Sequence, residues 1–297
     1  MRTAPALGIG LLYQPALAQF IADATDLLDY VEVIPDTVWC DRGPAASPRF
    51  VEDAEVTTYL EQVAKRMPLV LHAIGLSIGS TRDFDTAYAD QLVRWQARWG
   101  SPWTSEHLAF STAEVDGAAA NVGLTMPVTL DLATVDLVAQ RAGQIVKRLP
   151  VPFLLENNVY YFDVADEELS EPRALSMVCE RSGCGLLLDL HNLYVNCRNN
   201  GVDAAAYLAE LELDLVVEIH VAGGMEVDGF YVDAHSGSPP AEVWSLLEEV
   251  VPQCGNLGGI TMELLGSWFE PLGAGALSAD LRRLRSVWDA AHVGAPA

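Results

Sequence analysis

The sequence predicts a single (β/α)8 TIM barrel spanning residues 1–297, and three observations predict it. Eight short β-rich runs alternate with segments of helical periodicity or composition. The chain of 297 residues is close to the roughly 250 that one such barrel commonly needs. No Pro/Gly/Ser-rich linker, low-complexity tract or fixed-period repeat divides it. A doubly wound open sheet alternates strand and helix as well, but no GxGxxG follows the first run to favour it.

In order, GIGLLY (8–13) is followed by a helical segment over 16–28, and YVEVIP (30–35) by one over 52–66. LVLHAIG (69–75) leads to 86–99, WTSEHLAF (103–110) to 129–148, and FLLENN (153–158) to 172–181. GLLLDLHN (185–192) precedes 204–211, VVEIHVAG (216–223) precedes 240–250, and GITMELL (259–265) precedes 278–291. Each run is short for a helix, and all but GLLLDLHN carry β-branched or aromatic residues that favour strands. Trp95, Trp99, Trp244 and Trp288 fall at helical positions and read as core packing. The Gly-rich stretch GLSIGS (75–80) has no following Lys and reads as pocket floor.

Composition narrows the function. With 51% hydrophobic residues the chain can bury a large core, and a net charge of -24 repels nucleic acid and anionic membranes. A basic peptide, a cationic partner or metal ions suit that surface. Five scattered cysteines without a CxxC pair give neither a disulfide framework nor a zinc knuckle, so a reducing compartment is expected. Gly8, Gly10 and Pro15 interrupt the N-terminal apolar run before a signal peptide could form, and no stretch reaches the length of a membrane helix. The expected location is cytoplasmic.

Parallel strands buried on both faces read as continuous apolar runs. Six of the eight here carry polar residues at or near their C-terminal ends: His72; Glu106 and His107; Glu156 and Asn157; Asp189, His191 and Asn192; Glu218 and His220; and Glu263. In a barrel these ends meet at the mouth where active sites are built. Asp233 and His235 follow in the seventh loop, so five of the six histidines fall in this set and only His292 lies elsewhere. Read as strand, Asp189 and His191 share one face. So many buried ionisable groups need a counter-charge, and few basic residues stand near them.

Metal ions supply that charge, and imidazole with carboxylate but no clustered thiolate suits iron, manganese, zinc or cobalt. The ligand candidates are His72, Glu106, Glu156, Asp189, His191, Asn192, His220, Asp233, His235 and Glu263. These are too many for one ion, so two or three ions sharing bridging carboxylates are expected. Adjacent strand residues face opposite ways, so Glu106 and Glu156 are taken as ligands ahead of His107 and Asn157. His107, and Glu218 one layer deeper, are assigned to catalysis from beside the ligands.

The series LHAIGLSIGS, SEHLAF, LLENNVYY, LLLDLHNLYVN with NNGVD behind it, EIHVAGG, DAHS and TMELL resembles the multinuclear non-haem iron-dependent oxidative enzymes, over roughly residues 8–263. That family includes the iron oxygenase of methanobactin biosynthesis. The resemblance implies a xylose-isomerase-like TIM barrel with two or three iron ions (Fe2+/Fe3+) at its mouth. It implies a natural-product oxidoreductase that uses dioxygen to modify a residue, often cysteine, of a ribosomally made precursor peptide, and a small partner protein that captures the peptide's leader. Carried over by position, it gives His72, Glu106, Glu156, Asp189, Asn192, His220, Asp233, His235 and Glu263 as ligands. Three departures bear on one metal site and on the substrate. Leu12 and Pro15 stand where the family has arginine and histidine, Asp36-Thr37-Val38 replaces ENY, and DLHN replaces DVNN, putting His191 at an asparagine position.

Two rival functions fit the same barrel. A divalent-metal sugar isomerase or hydrolase would turn over without oxygen, with a basic residue at the mouth to polarise a carbonyl. The chain has only two lysines, Lys65 and Lys147, both in helical segments. A non-catalytic metal-binding module is the other rival, and it leaves an open-mouthed cluster without a use.

Overall fold

The structure is a computed structural model that describes residues 1–115, 118–162, 164–165 and 167–292. Eight parallel strands close into a barrel. They are β1 (Gly8–Leu12), β2 (Tyr30–Val33), β3 (Leu69–Ala73), β4 (Thr104–His107), β5 (Phe153–Glu156), β6 (Gly185–Asp189), β7 (Val216–Val221) and β8 (Gly259–Met262). Each pairs with its neighbours in chain order, and β8 closes on β1 through Gly8 opposite Gly259. The expected (β/α)8 barrel is the observed fold.

Helices fill the returns: α1 (Ala18–Asp23), α2 (Ala54–Val63), α3 (Thr86–Trp99), α4 (Leu132–Arg148), α5 (Glu171–Ser182), α6 (Leu190–Asn200), α7 (Ala204–Glu210), α8 (Ala241–Val250), α9 (Gly266–Leu272) and α10 (Ala274–His292). Asp side chains cap several starts, as Asp53 does for α2, Asp131 for α4 and Asp203 for α7. None of the described helices is long and apolar enough to cross a membrane.

The observed strands are shorter than the expected runs. WTSEHLAF splits into β4 and the start of a hairpin (Ala109–Val115 with Ala118–Pro127), and two further hairpins pair Trp39–Asp41 with Phe50–Glu52 and Met225–Val227 with Phe230–Val232. The largest difference is at 185–192. Strand β6 stops at Asp189, whose Oδ1 accepts from the Asn192 N–H at 2.7 Å and caps α6. Asp189 and His191 therefore do not share a strand face. The sequence after Asp189 has Leu190, Leu193 and Tyr194 at helical spacing, all buried.

Alternation along the strands sorts the barrel interior into layers. Tyr30, Val70, Trp103, Leu154 and Leu187 form a closed apolar plug at the lower level. Tyr30 needs space that glycine provides: a Cβ on Gly10 would stand 2.3 Å from its ring and one on Gly259 2.5 Å from its hydroxyl. Two residues further along each strand, the side chains become polar.

Candidate metal centre

Seven potential ligands come from seven successive strands or their ends: Glu32, His72, His107, Glu156, Asp189, His220 and Glu263. Their phase follows from the plug beneath. Val70 inside puts His72 inside, Trp103 puts Ser105 and His107 inside, and Leu154 and Leu187 do the same for Glu156 and Asp189. His72, His107 and Glu156 have ligand atoms within 4.8 Å of one another, as do Glu32, His220 and Glu263, and Glu156, Asp189 and His220. The first two trios share no residue, and the third bridges them.

Contacts within these groups are close. Glu156 Oε2 lies 2.7 Å from His107 Nδ1 and 3.3 Å from His72 Nε2. His220 has Nε2 3.0 Å from Glu32 Oε2 and Nδ1 3.3 Å from Glu263 Oε2. A further group adjoins through Glu263, which is 3.5 Å from His235 Nε2. There Asp233 accepts from His191 Nδ1 at 2.7 Å and stands 3.0 Å from His235 Nε2. His235 adopts φ 43°, a region that side chains rarely enter, and Leu265 N–H donates to its carbonyl.

The donor set fits cations. Buried and without a hydrogen-bond partner are Glu32 Oε1, His107 Nδ1, Glu156 Oε2, His191 Nε2, Asn192 Oδ1 and His220 Nδ1. Several of these stand within 3.5 Å of a neighbouring ligand atom yet lack hydrogen-bond geometry, as atoms do when they aim at a common point. Burial without a partner is costly for each, and a metal ion removes that cost. Neighbours fix the rings: Ser105 Oγ is 2.8 Å from His72 Nδ1, which leaves Nε2 facing Glu156 and His107.

Electrostatics tell the same story. Burial works against charge on His107, but the Glu156 carboxylate overrides it and raises the imidazole to about 9. His235 is likewise disfavoured by burial, yet Asp233 and Glu263 raise it to about 10. Burial pushes the Glu32 and Asp189 carboxyls well above their ordinary range. Protons thus hold together a set of carboxylates that divalent cations would neutralise instead, releasing them.

A model of the family described as RiPP precursor modification enzyme MbnB/TglH/ChrH matches residues 6–265. The chain belongs to this family. Among its relatives, a UPF0276 protein of Caulobacter vibrioides (strain NA1000 / CB15N) is 32% identical over 257 residues, 86% of each chain. A UPF0276 protein of Chromobacterium violaceum is 34% identical over 251 residues, 84% of this chain and 83% of its own. Solved structures with the same fold include a D-psicose 3-epimerase with D-fructose (TM-score 0.59, 11% identity, covering 97% of this chain and 100% of that one). Another is endonuclease IV from Thermus thermophilus (TM-score 0.57, 14% identity, covering 95% and 99%). At such identities they show the barrel alone.

In this RiPP-modification family member, the structure brings together five of the expected ligands, His72, Glu156, Asp189, His220 and Glu263. It keeps Asp233, His191 and His235 as an adjoining group. Asn192 donates to Glu156 Oε1 at 3.2 Å, with its amide oxygen unpartnered beside the centre. Glu106 is not brought in. Its oxygens accept from the Leu76 and His107 N–H groups, each at 2.9 Å, because strand alternation turns it away and turns His107 inward. Glu218 lies one layer down, as expected. Tyr30, Thr261 and Trp103 donate to it at 3.2, 2.8 and 2.6 Å, so it is satisfied without a metal. Glu32 was missed by the sequence reading. It is a lone carboxylate in the apolar run YVEVIP, and the same criterion of a polar group within an apolar strand identifies it.

Proposed function

We propose that this chain is a multinuclear non-haem iron enzyme that uses dioxygen to oxidise a residue, with cysteine the first choice, of a ribosomally made peptide. The observation that carries the reading is the convergence of seven imidazoles and carboxylates from seven strands or their ends, four of which (Glu32, His107, Glu156 and His220) have a buried atom without a hydrogen-bond partner. Family membership supports a peptide substrate. Two disjoint trios, His72–His107–Glu156 and Glu32–His220–Glu263, would hold one ion each. Asp189 would stand between them, with Asp233, His235 and His191 available to a third. Bound iron would supply one-electron redox chemistry and dioxygen activation.

The protein's own residues define the rest. Glu32, Asp189 and His220 are almost fully buried, which keeps water from the inner side. The side chains of His107, His235 and Asp233 remain 17%, 19% and 21% exposed, so substrate approaches along that edge. A thiol arriving there meets Asp233 and His235, which belong to neither trio, as the first polar groups on its path. Glu218, clamped by three donors, fixes the floor beneath His220.

The test is metal analysis of anaerobically purified protein, followed by dioxygen uptake with a short Cys-containing peptide encoded in a neighbouring reading frame. Iron at about two ions per chain, and a mass change in the peptide that requires dioxygen, are expected. Zinc alone, with iron unable to restore uptake, overturns the assignment. Oxygen-independent turnover of a ketohexose would replace it with the sugar-isomerase reading.

A further inference from the structure

Beside the mouth lies a cavity of about 370 Å³ that the metal centre does not use. Its walls come from the segment after β5, the first turn of α5, the C-terminal half of α6, and α7. Leu169, Pro172 and Val202 give it apolar sides. At its base Glu171 is buried and accepts from Asn158 N–H at 2.8 Å, Tyr160 Oη at 3.1 Å and Tyr207 Oη at 2.9 Å. Asp203 and Glu210 stand at the rim, and among the described residues every charged one lining the cavity is acidic.

One helix ties this cavity to the metal centre. Helix α6 starts in the cluster, where Asn192 donates to Glu156. A turn later Asn196 accepts from Tyr160 N–H and donates to the Asn158 carbonyl, and a turn beyond that Asn200 donates to the Tyr160 carbonyl. From Asn192 to Asn200 the helix rises about 12 Å. Between the two sites Tyr161 Oη accepts from Asp233 N–H, and its neighbour Phe162, 51% exposed, borders the cavity.

We infer that this cavity binds a lysine or arginine side chain of the peptide substrate, about four residues from the residue presented to the metal centre. The spacing follows because an extended peptide advances about 3.3 Å per residue. The aliphatic stem lies along Leu169, Pro172 and Val202, and the cationic head meets Asp203 and Glu210 at the rim. The inference rests on the peptide-modifying reading above, which supplies the peptide, while the cavity supplies the chemistry it selects.

The test uses the iron-loaded protein and fluorescein-labelled hexapeptides Cys-Gly-Gly-Gly-X-Gly, with X arginine, norleucine or glutamate, read by fluorescence anisotropy at fixed ionic strength. The arginine peptide is expected to bind about tenfold tighter than the norleucine one, the gain of one charge-assisted contact, and the glutamate peptide weakest. Ala206→Trp, which fills the cavity from an exposed position, and Glu210→Gln should each reduce that preference to about twofold with metal content unchanged. Moving arginine to one residue from cysteine should abolish it. Equal binding of the arginine and norleucine peptides overturns the inference, as does an arginine preference that survives Ala206→Trp. Arginine preference without peptide-stimulated dioxygen uptake would keep the cavity's role and refute the oxidative reading. Uptake without arginine preference would do the reverse.

Discussion

Glu171→Gln isolates a single buried carboxyl. Burial is the main cause that pushes Glu171 up to about 7 from an ordinary 4.5, although Asn158 N–H, Tyr207 and Tyr160 donate to it. The folded-state value is the higher one, so the proton it retains stabilises the fold fully below about 4.5 and that stability is lost as pH rises through 7. A gap of this size is worth on the order of 3 kcal/mol. The glutamine variant keeps an oxygen for Asn158 and Tyr160 and presents its NH2 to the Tyr207 hydroxyl, which turns to accept. It carries no such pH dependence. Urea or thermal unfolding of both proteins at pH 5, 6, 7 and 8 should therefore show the variant gaining on the wild type as pH rises. The change corresponds to about 5 °C in Tm for a chain of this size. Other titrating groups cancel in the difference. A difference that stays flat from pH 5 to 8 would refute the argument.

Other outcomes follow from the same geometry. Glu106→Gln should leave metal content unchanged, whereas His107→Ala should lose about one ion per chain by plasma emission analysis. The opposite pattern would reverse the assignment of which side of β4 faces the barrel. Glu32→Gln should also lower metal content, because its partner trio loses a carboxylate. Gly10→Ala drives a methyl into the Tyr30 ring and should cost on the order of 1–3 kcal/mol. Gly275→Ala, in α10 with nothing within 4 Å of the added atom, should instead gain up to about 1 kcal/mol in the same unfolding assay. Chelation should lower Tm, since metal present at a hundredfold excess over its Kd contributes about 3 kcal/mol.

The barrel was legible because its signals are local. A run such as LVLHA must be buried on both sides, and the segment over 86–99 coincides with α3 to the residue. The three hairpins were not legible, because their strands are short and their partners are set by contacts that periodicity does not record. At β4 the sequence places Glu106 and His107 side by side. Which one faces inward depends on the phase set by Trp103 in the plug, a packing fact rather than a local one. Asp189 was legible as a metal-site residue, but its neighbour was misread. A carboxylate ending an apolar run closes a strand and also opens a helix, and only the buried Leu190–Leu193–Tyr194 spacing separates the two. Glu32 escaped because it stands alone in its run, without an adjacent histidine to draw notice.

The plug of Tyr30, Val70, Trp103, Leu154 and Leu187 also governs traffic. All five are at most 1% exposed, so the barrel is closed beneath the metal centre. A peptide cannot be threaded through from end to end. It must dip in as a terminus or a bent loop and back out by the same route.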